Sequence, residues 1–384
     1  MLSSIFDIEF NPNKHLAHWD RINALAQGND TSPVTLELDI CSICNHNCKW
    51  CVDPPDVHSN RLMPVPIATR ILEEARKMGV KGIVFKGGGE STLHPKFGEI
   101  IQIASEIGFG IGVVTHGGKL NKPELLNTLV QYCDYVRISI DGPTPQSRKE
   151  IHGIDDFYSM VNGIKKLMAL KQSKRHPIVG ATFCIDYPRR FLIEKCIQLG
   201  EELRLDYVLI RPPFCEEVGF PAPHTPEEAA ILRREIRKAA VNYTGNTHIM
   251  AGNWVGDTEL VKLPLKKRGN DVARRDSSVR QFEHNGIEHV TKRCLASPLF
   301  LVITAECDVY GCCCLRGIKE FSFGKINYDA GISLSSIMRS QQRKQSLAKM
   351  QRVECLKYCT HPLNKINELI EYISLPEKYH SSFI

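Results

Sequence analysis

The chain has 384 residues, of which 42% are hydrophobic, and a formal net charge of +6 at pH 7. That length buries one large core and a smaller one, since single cores stop growing near roughly 250 to 300 residues. No apolar run reaches the roughly 18 residues of a membrane span, and residues 1–20 show neither the basic nor the apolar region of a secretory signal, so no membrane partner is expected and the cytoplasm is the expected location.

Residues 1–33 read as an N-terminal extension. From 34 to 214, short β-branched runs alternate with amphipathic stretches, the pattern of strand and helix units around a parallel sheet. Strands are predicted from Val34, Gly82, Gly110, Tyr135, Ile178 and Tyr207, and helices from Ala68, Phe97, Pro123, Phe157 and Phe191. Six units rather than eight imply an α/β fold built on a partial TIM-like barrel, with its active end at the C-terminal edge of the strands, where the loops gather. Residues 215–290 read as a polar connection with one helix, opened by Thr225 as N-cap and Pro226 in the first turn. Its basic stretch, Lys266, Lys267, Arg268, Arg274 and Arg275, lacks interleaved aromatics, reads as a solvated loop, and gives no reason to expect a nucleic-acid partner. Residues 291–384 read as a small cysteine-rich domain that needs a metal to stand.

The chain holds 15 cysteines, and in a compartment that keeps thiols reduced they argue for metal sites rather than disulfides. Directly after the first strand, Cys44, Cys48 and Cys51 share one loop. Three thiolates can hold three irons of a cubane cluster and leave the fourth iron open. With Trp50 before the last cysteine, the segment resembles the motif of the radical S-adenosylmethionine (radical SAM) superfamily. The resemblance implies a four-iron four-sulfur cluster whose open iron chelates S-adenosylmethionine, with Trp50 in the cofactor-binding set. A zinc or ferredoxin-type site completed by Cys41 is the other reading of these thiols; outside such a site, Cys41 reads as a half-buried thiol at the strand end.

One unit later come Gly87, Gly88, Gly89 and Glu90. Consecutive glycines let backbone approach a ligand, and Glu90 is a carboxylate placed to take an ammonium. The run resembles the family's Gly-Gly-Glu-Pro turn, with Ser91 where proline is usual, which implies that Gly88, Gly89 and Glu90 hold the methionine moiety. Ser139 and Asp141 share a face at the end of the fourth strand. The resemblance implies contacts to ribose hydroxyls or the methionine carboxylate; a strand filler and a turn-former are the alternatives. His116, ending the third strand, reads as solvent-facing or internally satisfied, with a substrate contact as the sharper alternative. Arg211 ends the sixth strand, either as the candidate catalytic contact to substrate or as the ion-pair partner of Glu216 or Glu217.

Near the C-terminus stand Cys294, Cys307, Cys312, Cys313, Cys314, Cys355 and Cys359. The order resembles the twitch form of the family's SPASM appendage, which implies that Cys294, Cys312, Cys355 and Cys359 ligate a second four-iron four-sulfur cluster. Cys307 stands where the family has glycine. On a strand Cys312 and Cys314 would share one face and Cys313 the other, leaving the choice among them open. His361 could replace a thiol, and zinc suits four soft ligands equally.

The family resemblance implies reductive cleavage of S-adenosylmethionine to a 5'-deoxyadenosyl radical, driven by a one-electron donor such as flavodoxin or ferredoxin. The roughly thirty residues before the first strand are short for a leader-binding domain, which favours a small polar molecule of sugar or aminocyclitol type as substrate. Dehydrogenation or epimerisation is the expected outcome, with Cys215, Cys313 or Cys314 as conceivable hydrogen donors. A maturase acting on a ribosomally made peptide and a zinc-binding non-enzymatic module are the alternatives.

Overall fold

The computed structural model describes residues 14–51, 59–171, 176–213, 225–251, 283–284, 287–288, 294–352, 354–355 and 364–374. Cys215, Glu216, Glu217, the basic stretch at 266–275, Cys359 and His361 lie outside the described residues. Strands β1 Thr35–Leu38, β2 Gly82–Phe85, β3 Gly110–Thr115, β4 Tyr135–Ser139, β5 Ile178–Cys184 and β6 Tyr207–Arg211 stand where alternation predicts. They pair in parallel and in chain order. After α1 Trp19–Ala26, the crossovers carry α2 Val65–Lys77, α3 Phe97–Glu106, α4 Pro123–Tyr132, α5 Pro145–His152, α6 Phe157–Lys171 and α7 Ile193–Glu202.

Two elements of the barrel go beyond the sequence reading. Helix α5 was not predicted, although its signals are local: the Thr144 side chain accepts from the Ser147 N–H, Pro145 opens the first turn, and Gly153 closes it at φ 70°. The connection at 215–290 contains, after α8 Pro226–Asn242 with its Thr225–Glu228 capping box, a seventh parallel strand, β7 His248–Ala251. Four residues are too few for a periodic signal; pairing with β6 makes the strand.

The C-terminal hairpin, β10 Phe300–Ile303 with β11 Asp308–Tyr310, continues into β12 Gly324–Lys325. Its first strand pairs in parallel with β1, so the barrel sheet runs β12-β11-β10-β1-β2-β3-β4-β5-β6-β7. A short hairpin of β8 Glu283–His284 and β9 Ile287–Glu288 forms a separate sheet. One buried core extends from Leu36 to Cys355, each fully buried Leu or Ile contributing about 2 kcal/mol. After α9 Leu334–Met338 and α10 Gln341–Gln351, helix α11 Asn364–Ser374 packs on α1 around Ile22, Leu25 and Ile370. Among the described residues no helix is long and apolar enough to cross a membrane.

Alternation divides the strands. Leu36, Leu38 and Ile40 join the outer core beneath the helices, while Glu37 and Asp39 take the inner face. At the lower end of that face Tyr135 and Tyr207 lie across Gly112 and Gly180; a Cβ on either glycine would sit 2.2 Å from a ring carbon. At the upper end the inner face becomes polar.

Candidate cluster and cofactor site

Residues 41–51 form the loop after β1, and four contacts hold it. Gly89 packs so closely that an added Cβ would lie 2.5 Å from the Ser42 carbonyl carbon and 2.6 Å from the Cys41 oxygen, which is why no larger residue fits. The Glu90 N–H donates to the Ile43 oxygen at 2.9 Å, and the Asn47 and Lys49 N–H groups donate to the His152 and Ile151 oxygens at 3.0 and 2.7 Å. The glycine turn and the end of α5 thus clamp the loop from two sides. Cys44, Cys48 and Cys51 are all partly buried. Burial, then the neighbouring charges of Asp141, Cys51 and Cys44, push the Cys48 thiol far up. Thiolates in these positions would repel one another, and a cationic metal centre, whose charge favours the thiolate, relieves that repulsion. Cys41 is 1% exposed, belongs to the core, and turns its thiol to the Ile43 oxygen at 3.6 Å. It behaves as a core side chain, buried more deeply than expected.

Glu90 is 3% exposed. Its Oε1 accepts from the Thr92 N–H, the Thr92 hydroxyl and the Thr115 hydroxyl at 3.1, 2.6 and 2.7 Å, and its Oε2 accepts from the His116 N–H at 2.9 Å. Burial pushes this carboxyl up, but the His116 ring and these hydrogen bonds outweigh it and hold Glu90 below the usual carboxylate range. Because His116 is itself pushed down to about 4, chiefly by burial, its ring is neutral at pH 7 and the hydrogen bonds carry the effect.

His46 of this loop joins a buried set of imidazoles that spacing did not announce. The His46 ring stacks on His116 with centroids 3.5 Å apart, and its Nδ1 is 3.1 Å from His152 Nδ1. His152 Nδ1 is 3.3 Å from Cys48 Sγ, and its Nε2 is 3.1 Å from Asp141 Oδ2. The donor atoms of His46, Cys48 and His152 lie within 4.8 Å of one another. Arg148, fully buried, donates to Asp156 at 2.6 and 2.9 Å and to the carbonyls of His116, Ser139 and Ile140 at 2.8, 3.1 and 3.2 Å. His46 Nε2 stands 3.4 Å from the same Asp156.

Of the C-terminal thiols, Cys313 lies near the inner face of the barrel sheet. Arg316, two residues beyond Cys314, reaches Asp39 at 2.9 Å, and Glu37 pairs with Lys86 at 2.9 Å. Burial opposes the Lys86 charge, but Glu37 and then Cys313 raise its ammonium above the usual range, so Cys313 lies beside that pair. The alternating-face expectation for Cys312, Cys313 and Cys314 is corrected: the strand ends at Tyr310 and residues 313–315 form a 3-10 turn, which gathers all three sulfurs within 4.8 Å. Hydrogen bonding with Cys313 and Cys314, then burial, raises the Cys312 thiol. Cys307 adopts φ 69°, the left-handed geometry that glycine meets without strain. Cys294 is raised by burial and feels the charge of Cys314, while Cys355 is 8% exposed within the main core.

Against known proteins, the family model described as Radical SAM superfamily matches residues 38–183. The chain carries a radical SAM domain. Its cysteine-rich C-terminal region lies beyond the residues that this family model matches. It is 28% identical over 142 residues to the mycofactocin maturase MftC of Mycobacterium ulcerans (strain Agy99), covering 36% of this chain and 37% of that protein. Over 135 residues it is 30% identical to an S-adenosylmethionine-dependent nucleotide dehydratase of Flammeovirga pacifica, covering 34% of this chain and 46% of that protein. The chain thus spans less than half the length of these curated relatives. In fold it is similar to Streptococcus suis SuiB bound to precursor peptide SuiA, with TM-score 0.61 and 14% identity over 94% of this chain and 77% of that one.

Within the radical SAM barrel the other expected residues occupy the upper rim. Trp50 is half-buried, with the Lys49 ammonium and the Arg189 guanidinium each 5.8 Å from a ring centroid. Ser139 ends β4, and Asp141 follows at φ 57°, its Oδ1 accepting from the Cys184 N–H at 2.9 Å. Both Asp141 oxygens therefore have protein partners, and its carboxyl stays low against burial because of His152, Arg211 and that N–H. Arg211 ends β6 opposite Cys184, within electrostatic reach of Asp141.

Proposed function

We propose that this chain is a radical SAM enzyme that modifies a ribosomally made peptide. The observation that carries the reading is the loop of Cys44, Cys48 and Cys51 clamped by the Gly89–Glu90 turn at the C-terminal edge of a parallel barrel, inside the stretch matched by the family. In this reading those three thiolates hold a four-iron four-sulfur cluster. When bound, the cluster supplies the electron that cleaves S-adenosylmethionine. Gly88, Gly89, Glu90, Ser139, Asp141 and Trp50 line the cofactor edge, and Arg211 meets the substrate. Cys294, Cys312, Cys355 and Cys359 hold an auxiliary cluster, and a flavodoxin or ferredoxin delivers electrons.

The peptide reading displaces the small polar substrate that the short N-terminal extension favoured. MftC is named a maturase, and SuiB carries a precursor peptide in its structure; the likeness to SuiB covers the C-terminal region as well as the barrel.

Anaerobically reconstituted protein, reduced and given S-adenosylmethionine, should release 5'-deoxyadenosine and carry about eight irons per chain if both sites load, about four if one does. A short peptide encoded beside the gene should change mass in the same assay, whereas nucleotides should not. Release of 5'-deoxyadenosine coupled to turnover of a nucleotide or sugar and to no peptide would overturn the peptide reading, and zinc in place of iron would overturn the whole.

A further inference from the structure

Inside the barrel, below the rim, one guanidinium is left over. Arg137 alternates with the outer-core residues Val136 and Ile138 on β4, so it shares the inner face with Tyr135 and Ser139. It stands level with Val114 on β3 and with Gly180 on β5, over which the Tyr207 ring lies. Its charge acts on the Lys86 ammonium, the Tyr135 and Tyr207 hydroxyls and the Cys184 thiol, and Cys184 also feels Arg211. Three cations therefore share this part of the interior, while the carboxylates near them are committed elsewhere. Glu37, which also acts on Tyr135, pairs with Lys86 at 2.9 Å, Asp39 meets Arg316 at 2.9 Å, and Asp141 is taken up by His152 and the Cys184 N–H. Among the described residues Arg137 is half-buried and takes part in no ion pair or hydrogen bond. On the same face, opposite Ser139, the Thr182 hydroxyl is 4% exposed and likewise finds no hydrogen-bond partner among them. A half-buried guanidinium beside a second cation, with no carboxylate of its own, costs stability that an entering anion recovers.

We infer that Arg137 is a specificity-determining residue that receives a carboxylate of the peptide, from an aspartate or glutamate side chain or from the C-terminus. The inference rests on the peptide reading above and names the chemical group that the reading left open. The planar fork of an arginine meets a carboxylate through two parallel hydrogen bonds, a geometry a lysine does not reproduce. Thr182 adds an O–H donor on the same face. S-adenosylmethionine also carries a carboxylate, but in this reading its methionine end is held by the cysteine loop and the Gly88–Glu90 turn, on the rim above Arg137.

The test uses anaerobically reconstituted enzyme and the short peptide encoded beside the gene. The peptide is prepared unaltered, with each aspartate or glutamate changed singly to its amide, and with its C-terminus amidated. With wild type, neutralising one of these carboxylates should lower kcat/KM by about 10- to 100-fold, the loss of charge-assisted hydrogen bonds. Arg137→Met should lower it by a similar factor on the unaltered peptide and add little to the loss of the neutralised one, and Arg137→Lys should recover part. Losses that multiply in full would overturn the inference, as would a KM for S-adenosylmethionine raised about tenfold in Arg137→Met, which would hand the residue to the cofactor. Metal-free Arg137→Met should melt no lower than wild type, because no ion pair is broken; a fall of more than about 3 °C, or failure to fold, would show a structural role instead. Wild type with equal kcat/KM for every neutralised peptide overturns this inference and leaves the peptide reading standing, whereas wild type that modifies no peptide overturns both.

Discussion

Replacing Arg148 by leucine should unhinge the platform on which the cysteine loop rests. The guanidinium is fully buried and supplies five hydrogen bonds, two to Asp156 and one each to the carbonyls of His116, Ser139 and Ile140. Removing one partner of a buried ion pair costs about 3 to 5 kcal/mol because the other charge is left behind. The Asp156 side chain is 13% exposed and so recovers some hydration, which places the loss near the lower end, about 3 kcal/mol. Unfolding entropy of roughly 2.1 cal/mol/K per residue gives about 0.8 kcal/mol/K for a chain of this length, so the melting temperature should fall by about 4 °C. Differential scanning calorimetry of metal-free Arg148→Leu, Asp156→Asn and the double variant measures this. The double variant should be less destabilised than the two single losses added together, since the charge left unpaired by one change is removed by the other. A melting temperature within about 1 °C of wild type for Arg148→Leu, or strict additivity in the double variant, would refute the argument that the pair is a single buried unit.

The Asp156 carboxyl is also a pH probe: burial pushes it up, but hydrogen bonds from Arg148 and His46 and their charges hold it far below the usual range. A depressed folded value contributes fully above the unfolded value of about 3.9 and is lost as pH falls toward the folded one. The gap in melting temperature between wild type and Asp156→Asn should therefore persist from about pH 8 down to pH 5 and close only below about pH 4; a gap that already closes near pH 6 would contradict this. Gly180→Ala should cost about 1 to 3 kcal/mol by overpacking against the Tyr207 ring, and pairing it with Tyr207→Leu should return most of that loss in a denaturation series; independent losses would show that the ring is not the obstacle. Asn367→Ala removes the oxygen that accepts the Leu295 and Ala296 N–H groups at 2.7 and 2.8 Å, a loss of about 1 to 3 kcal/mol for each group left bare. Faster hydrogen exchange at those amides and quicker alkylation of Cys294 should follow, and unchanged rates at both would remove Asn367 from its place as the clamp on that segment.

The barrel was legible because its information is short-range. Strands from Val34 to Arg211 announce themselves by β-branched alternation, the helices by apolar recurrence, and Thr225 and Pro226 by capping chemistry that operates within one turn. The two barrel elements that escaped differ in kind. Helix α5 carried its own signals, a Thr144 cap, Pro145 and Gly153, and could have been read from them. Strand β7 carried no sufficient signal, since four residues become a strand only when the β6 edge offers them hydrogen bonds. His152 was missed along with the helix that bears it.

What the linear order determined by itself is the alternating architecture, the clustering of Cys44, Cys48 and Cys51 on one loop, and the glycine turn that follows a unit later, because each depends on neighbours within a few residues. Only the tertiary structure decided that β10 joins β1, that Arg316 reaches Asp39, and that His152 comes to rest against Cys48. Backbone pairing leaves no imprint on side-chain identity, and a buried polar contact between distant segments is selected by satisfying charge and hydrogen-bonding groups that meet only after the chain has folded.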